Sequence, residues 1–150
     1  MRDAVSEYLL TEIGSQYLKG ELFIPTLMMV HETDSCVWGD FWIYWYNIWG
    51  DTLKTVSGGN HAGKMSLSYE DGKPYVVSFE QTVDGAGNDE SARRIFGTHY
   101  DIYQNMHSNE DVREAVRQEQ TAETIRRNKL HFRYYQDYGH PAVELYGVEP

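Results

Sequence analysis

The chain has 150 residues, 41% hydrophobic and 14% aromatic, with a formal net charge of -10 at neutral pH. This length fits one domain, 1–150, and the composition can build a core, which excludes wholesale disorder. The charge argues against nucleic acid, whose backbone is bound by clustered Lys and Arg; the one basic cluster, Arg126, Arg127 and Lys129, suits the negative end of a helix.

In chain order, residues 3 to 19 place Val5, Tyr8, Leu9, Ile13 and Tyr17 near one helical face, with Gly20 as the stop. LFIPTLMMVHET follows, rich in strand formers, with Pro25 marking a bulge or an edge. Pro25 and Thr26 also interrupt the apolar stretch from Leu22 to Val30, so no membrane span or signal peptide is expected. The start MRDAVSEYLL fits a native N-terminus or a mature domain whose targeting segment has been removed. Residues 37 to 49, VWGDFWIYWYNIW, predict a long strand and hold all four tryptophans. Gly50-Asp51 turns into a weaker strand, 52 to 56, followed by a glycine-rich loop. Met65, Leu67 and Tyr69 then alternate with polar residues, Asp71-Gly72 fits a two-residue hairpin turn, and Tyr75, Val77, Phe79 and Val83 continue the apolar face.

The second half is helical. Asn88 or Asp89 is placed to cap a short helix ending at Gly97, and a second piece carries Tyr100, Tyr103 and Met106. Ser108 to Asp111 has the spacing of a capping box, and Val112, Ala115, Val116, Ala122 and Ile125 form an apolar stripe reaching about Asn128. LHFRYY reads as a last short strand, with a tail packing through Val143, Leu145 and Tyr146. The fold class is α+β: an N-terminal helix packed on a curved antiparallel meander, with further helices behind it.

Side chains alternate across a strand. One face of the tryptophan strand therefore carries Trp38, Asp40, Trp42, Tyr44, Tyr46 and Ile48; the other carries Val37, Gly39, Phe41, Ile43, Trp45, Asn47 and Trp49. Both are apolar, so one face covers the core against the first helix. The other meets the later helices, a pocket or a partner. Tyr and Trp suit such a boundary, being broad apolar bodies with one polar atom.

The run WGDFW through YNIWGDTLKTVSGGNHAGKMSL, with SARRIFG and YQDYG downstream, resembles small bacterial proteins, many of them exported lipoproteins. The resemblance covers roughly residues 20 to 139. A helix followed by a long meander is similar to the cystatin-like and nuclear-transport-factor-like superfolds, although there most helices come first. That resemblance implies an extracytoplasmic location and no established activity, so no site residue is carried over from it.

Candidate chemistry is sparse. GGNHAGKM, Gly58 to Met65, has phosphate-loop spacing through Lys64, but Met65 replaces the magnesium-binding hydroxyl and strand alternation follows, so a hairpin loop is expected. Cys36 near His31 suggests a thiol and its base, without an orienting third group; a structural cysteine is the simpler reading. As the single cysteine it excludes an internal disulfide and a multi-cysteine metal site. No histidine pair sits at ligand spacing on a predicted helix, so neither a metal nor another cofactor is expected. Asp40, a lone carboxylate among Trp38, Trp42 and Tyr44, is either an acid–base group or a carboxylate satisfied by a loop amide or an arginine. Two functions stay open. One is a non-catalytic domain, possible as a homodimer, that binds a small molecule or protein through Trp38, Asp40, Trp42, Tyr44 and Tyr46. The other is a small acid–base enzyme, an isomerase or hydrolase, on the same scaffold.

Overall fold

The computed structural model describes residues 1–148. Its centre is the tryptophan strand. Strand β3, Cys36–Trp49, pairs antiparallel along its whole length with β4, Thr52–Glu70. On the other side of β3 lie two shorter strands end to end, β1 (Leu22–Phe23) and β2 (Thr26–Glu32), separated at Pro25. Beyond β4, the hairpin strand β5 (Lys73–Gln81) covers one end. At the other end β6 (Tyr134–Gln136) pairs parallel to β4, and β7 (Val143–Glu144) pairs antiparallel to β6. The result is an α+β fold with an open seven-stranded sheet.

The two apolar faces of β3 have two separate covers. Helix α1, Arg2–Tyr8, continues through a wide turn, Leu9–Ile13, and a tight one, Gly14–Gln16. Val5, Leu9 and Ile13 bury against Val37, Phe41 and Ile43 of β3 and against Leu27, Met65 and Leu67 of its neighbours. On the opposite face, α2 (Asn88–Phe96) and α3 (Tyr100–His107) set Ala92, Ile95, Phe96, Tyr100 and Tyr103 against Ala62 and Trp38. Helix α4, Glu110–Arg127, brings Ile125 to a cluster with Tyr44, Tyr46 and Leu53, which Phe132, Tyr135 and Leu145 complete. Trp38, Trp42, Tyr44 and Tyr46 of the even face of β3 thus meet the later helices.

Several boundaries differ from the sequence reading. Helical structure stops at Gln16 rather than at residue 19, and Gly20 lies flat against the Tyr46 backbone, where a β-carbon would come within 2.7 Å of the Tyr46 carbonyl oxygen. The predicted loop between residues 56 and 64 is the middle of β4, unbroken. Its glycines answer close approach rather than flexibility. A β-carbon at Gly58 would meet the Ile43 carbonyl oxygen at 2.8 Å, and one at Gly59 or Gly63 would overlap the Tyr17 hydroxyl or the Glu80 carbonyl oxygen. With Gly58 to Lys64 in a strand and no helix opening after Lys64, the geometry of a phosphate loop does not form there. The α4 cap is Asn109, one residue later than expected, its side chain accepting from the Val112 amide. Gly87, not Asn88 or Asp89, precedes α2, whose end at Gly97 (φ 54°) is as expected. LHFRYY shortens to Tyr134–Gln136, and of the tail residues only Leu145 is buried. The Asp71-Gly72 turn is confirmed, with both residues at positive φ as a two-residue hairpin turn needs.

Candidate functional site

Asp40 sits mid-strand on the even face of β3 and is wholly buried. A buried carboxylate must be hydrogen-bonded or it destabilises the fold by several kcal/mol, on the order of 2–7 for an unpaired polar group. Three side chains donate to it. Asn60 Nδ2 on β4 reaches Oδ1 at 2.6 Å, His107 Nδ1 reaches Oδ2 at 3.0 Å, and Trp42 Nε1 approaches Oδ2 at 3.4 Å. Strand register explains the first: Asn60 is opposite Trp42, one pleat along from Asp40 on the same face. Helix α3 explains the second, because Tyr100, Tyr103 and His107 recur every three or four residues and lie on the face turned to the sheet.

His107 ends α3 with its side chain 40% exposed. Its ring stacks between Tyr103, centroids 5.4 Å apart, and Trp42, 6.0 Å apart, and Tyr103 in turn stacks on Phe96 at 4.1 Å. The Asp40 hydrogen bond raises the imidazole above its ordinary value of 6.5, outweighing partial burial and the Arg113 charge, which lower it. With Nδ1 donating to Asp40, Nε2 is left without a partner among the described residues. Burial, with Asp40 nearby, pushes Tyr103 up to about 12, so it acts as a neutral hydroxyl. Arg113, from the first turns of α4, lays its guanidinium 4.3 Å over the Trp42 ring and makes no ion pair among the described residues. Trp42 therefore carries a histidine stacked on it and an arginine over it, at a half-buried position in an acidic protein.

The other residues of the even face go elsewhere. Trp38 donates through Nε1 to the Ile95 carbonyl at 3.0 Å, pinning α2 to the sheet. Tyr44 and Tyr46 belong to a network around Arg117 of α4, a guanidinium 1% exposed. It stacks 3.7 Å over Tyr44 and 4.2 Å over Tyr135. It donates to both oxygens of Asp137, at 2.8 and 2.9 Å, to the Tyr46 hydroxyl and to the Thr55 hydroxyl. Tyr135 donates to Glu114, 2.8 Å away. Burial pushes Asp137 up, but the Arg117 and Thr55 hydrogen bonds outweigh it and hold the carboxyl below its ordinary value of 3.8. This network joins α4, β3, β4 and the segment after β6, and its guanidinium is buried, with its donors taken up by internal partners.

Of the five residues singled out in the sequence, Asp40 and Trp42 are joined by a hydrogen bond and Trp42 also packs against the cluster that holds Tyr44 and Tyr46, while the polar atoms of Tyr46 and Trp38 go to Arg117 and Ile95. Sequence reasoning missed His107, Asn60 and Arg113. His107 was legible in part: it shares a helical face with Tyr100 and Tyr103, and a carboxylate on an apolar strand needs a donor from whatever covers it. Asn60 was hidden by the glycines around it. His31, set against Cys36 in the sequence, instead stacks on His99 at 4.0 Å, beside Trp38. Comparison with protein-family models, curated proteins and solved structures finds no match. Among the described residues no helix is long and apolar enough to cross a membrane.

Proposed function

We propose that this is a binding domain whose recognition site is the half-exposed strip of Trp42, His107 and Arg113, and that it takes a small anionic ligand. One observation carries the reading: the fully buried Asp40 orients His107 and raises its pKa, with Nε2 free among the described residues, next to an arginine that has no carboxylate partner among them. Two cationic donors beside an indole face suit a carboxylate or phosphate attached to an apolar body. The cost of burying Asp40 is then offset by a histidine held in one orientation and biased towards its protonated form. The aromatic face read from the sequence thus contributes one strip of recognition surface, with the remainder serving as core.

Titration of labelled protein with phosphate, citrate and benzoate, followed by NMR at the His107 ring and Trp42 indole, tests this. Saturable shifts that weaken above the His107 pKa, and that Arg113→Gln with His107→Gln removes, are the expected result. Shifts unaffected by both substitutions refute it. A second reading, acid–base catalysis, is favoured by the same orientation of His107 by a buried carboxylate. It requires turnover, in a panel of esters and enolisable ketones, that His107→Gln lowers by roughly 10²–10⁴.

A further inference from the structure

The two outer strands of the sheet are treated differently. On β2 the edge is closed: Gln120 of α4 accepts from the Leu27 amide at 2.7 Å and donates to the Leu27 carbonyl at 2.8 Å, so one side-chain amide stands in for a neighbouring strand. On β5, nine residues long, β4 is the sole partner, and no backbone or side-chain group among the described residues bonds its outer edge. The Asp71-Gly72 turn closes on the pair Glu70 and Lys73, and by strand alternation Tyr75 then also faces β4. The backbones of Pro74 and Val76 therefore point outwards, and the regular edge ends at Val76, because Ser66 pairs with Ser78 and Val77 forms a bulge. Pro74 has no amide hydrogen to lose there, which is why a proline is tolerated at this position.

Beside that edge runs a groove of about 440 Å³ between β5 and α1, with Tyr8, Tyr75 and Val76 in its walls and Glu7 and Glu12 along the helical side. Tyr75 and Val77 are about half exposed, as is Tyr69 on the adjoining strand. Both glutamates are exposed and neither forms an ion pair among the described residues. A free strand edge next to a helix is the setting in which an extended peptide adds as a further strand, main-chain bonds giving affinity and side-chain pockets giving selectivity.

We infer that the β5–α1 groove binds an extended basic polypeptide segment, which pairs with β5 at Val76 and sets Lys or Arg side chains against Glu7 and Glu12. The charge decides the occupant. A second copy of this chain would bring its own Glu7, Glu12 and net charge of -10 to the same groove.

The probe is an acetylated, amidated octapeptide of alternating lysine and threonine, with glutamate replacing lysine in the control. NMR titration at low salt should move the amides of residues 74 to 78 and of residues 4 to 12, with no response to the glutamate peptide. Glu7→Gln combined with Glu12→Gln should weaken binding roughly three- to ten-fold. Methylating alternate backbone nitrogens distinguishes edge pairing from charge attraction: one alternate set abolishes binding and the other leaves it within a few-fold. Equal effects from both sets, shifts centred elsewhere, or an unliganded protein that sediments as a dimer joined through β5 each overturn the inference.

Discussion

Asp40 shows how a single residue can organise a site from inside a sheet. It has no solvent contact, so everything it does is transmitted through the side chains that donate to it. Asp40→Asn keeps the shape and removes the ionisable acceptor. His107 should then titrate closer to 6.5, since the largest cause of its raised pKa is the Asp40 hydrogen bond. Imidazole carbon shifts followed against pH measure this directly; an unchanged midpoint would mean that Asp40 does not control the ring. Arg117 is the contrasting case, a buried charge whose partners are all internal. Arg117→Met removes both aromatic stacks and leaves Asp137 without its ion pair, held only by the Thr55 hydroxyl. Breaking a buried pair costs about 3–5 kcal/mol, and the lower end is expected because Asp137 is 38% exposed and can recover some hydration. Urea unfolding gives the value, and a loss below about 1 kcal/mol would show that the network is dispensable.

At the scale of elements, β3 was legible, and β4 only at its two ends. Alternation in VWGDFWIYWYNIW gave two apolar faces, and each has its cover: α1 on the odd side, α2 to α4 on the even side. Strand β4 carries Gly58, Gly59 and Gly63, which by local propensity signal a loop. What they meet is non-local — the Ile43 carbonyl, the Tyr17 hydroxyl and the Glu80 carbonyl — and no pattern within the segment reports it. The same limit hid the site, because the donors to Asp40 come from residues 60 and 107 and depend on a register and a helix placement that the chain does not announce. Gly63→Ala tests the close-approach argument. Its new carbon would collide with backbone, so β4 and β5 must part, at a cost of about 3 kcal/mol. Gly87→Ala meets only the Val83 Cγ2 atom at 3.3 Å and should change stability by less than about 1 kcal/mol. Comparable losses in the two thermal melts would remove the distinction between them.

For the whole molecule, one sheet has two covers held by different forces. The α1 side is apolar, tied by few polar contacts such as the 3.0 Å bond from Trp45 Nε1 to the Gly14 carbonyl. The helical layer on the even side is pinned by two hydrogen-bonded pairs of ionisable groups, Asp40 with His107 and Asp137 with Arg117. These pairs give stability opposite limits in pH. His107 is raised above 6.5 on folding, so its contribution is complete below 6.5 and is lost as pH rises through the folded value. Asp137 is lowered below 3.8, so its contribution is complete above 3.8 and is lost as pH falls through the folded value. Stability should therefore plateau between these limits and decline on both sides. Urea midpoints measured from pH 3 to pH 9 should show both limbs in the parent protein. Asp40→Asn should flatten the alkaline limb and leave the acid one, whereas Arg117→Met should lower the plateau and flatten the acid limb. An alkaline decline that survives Asp40→Asn would assign that limb to another group and detach His107 from the stability of the helical layer.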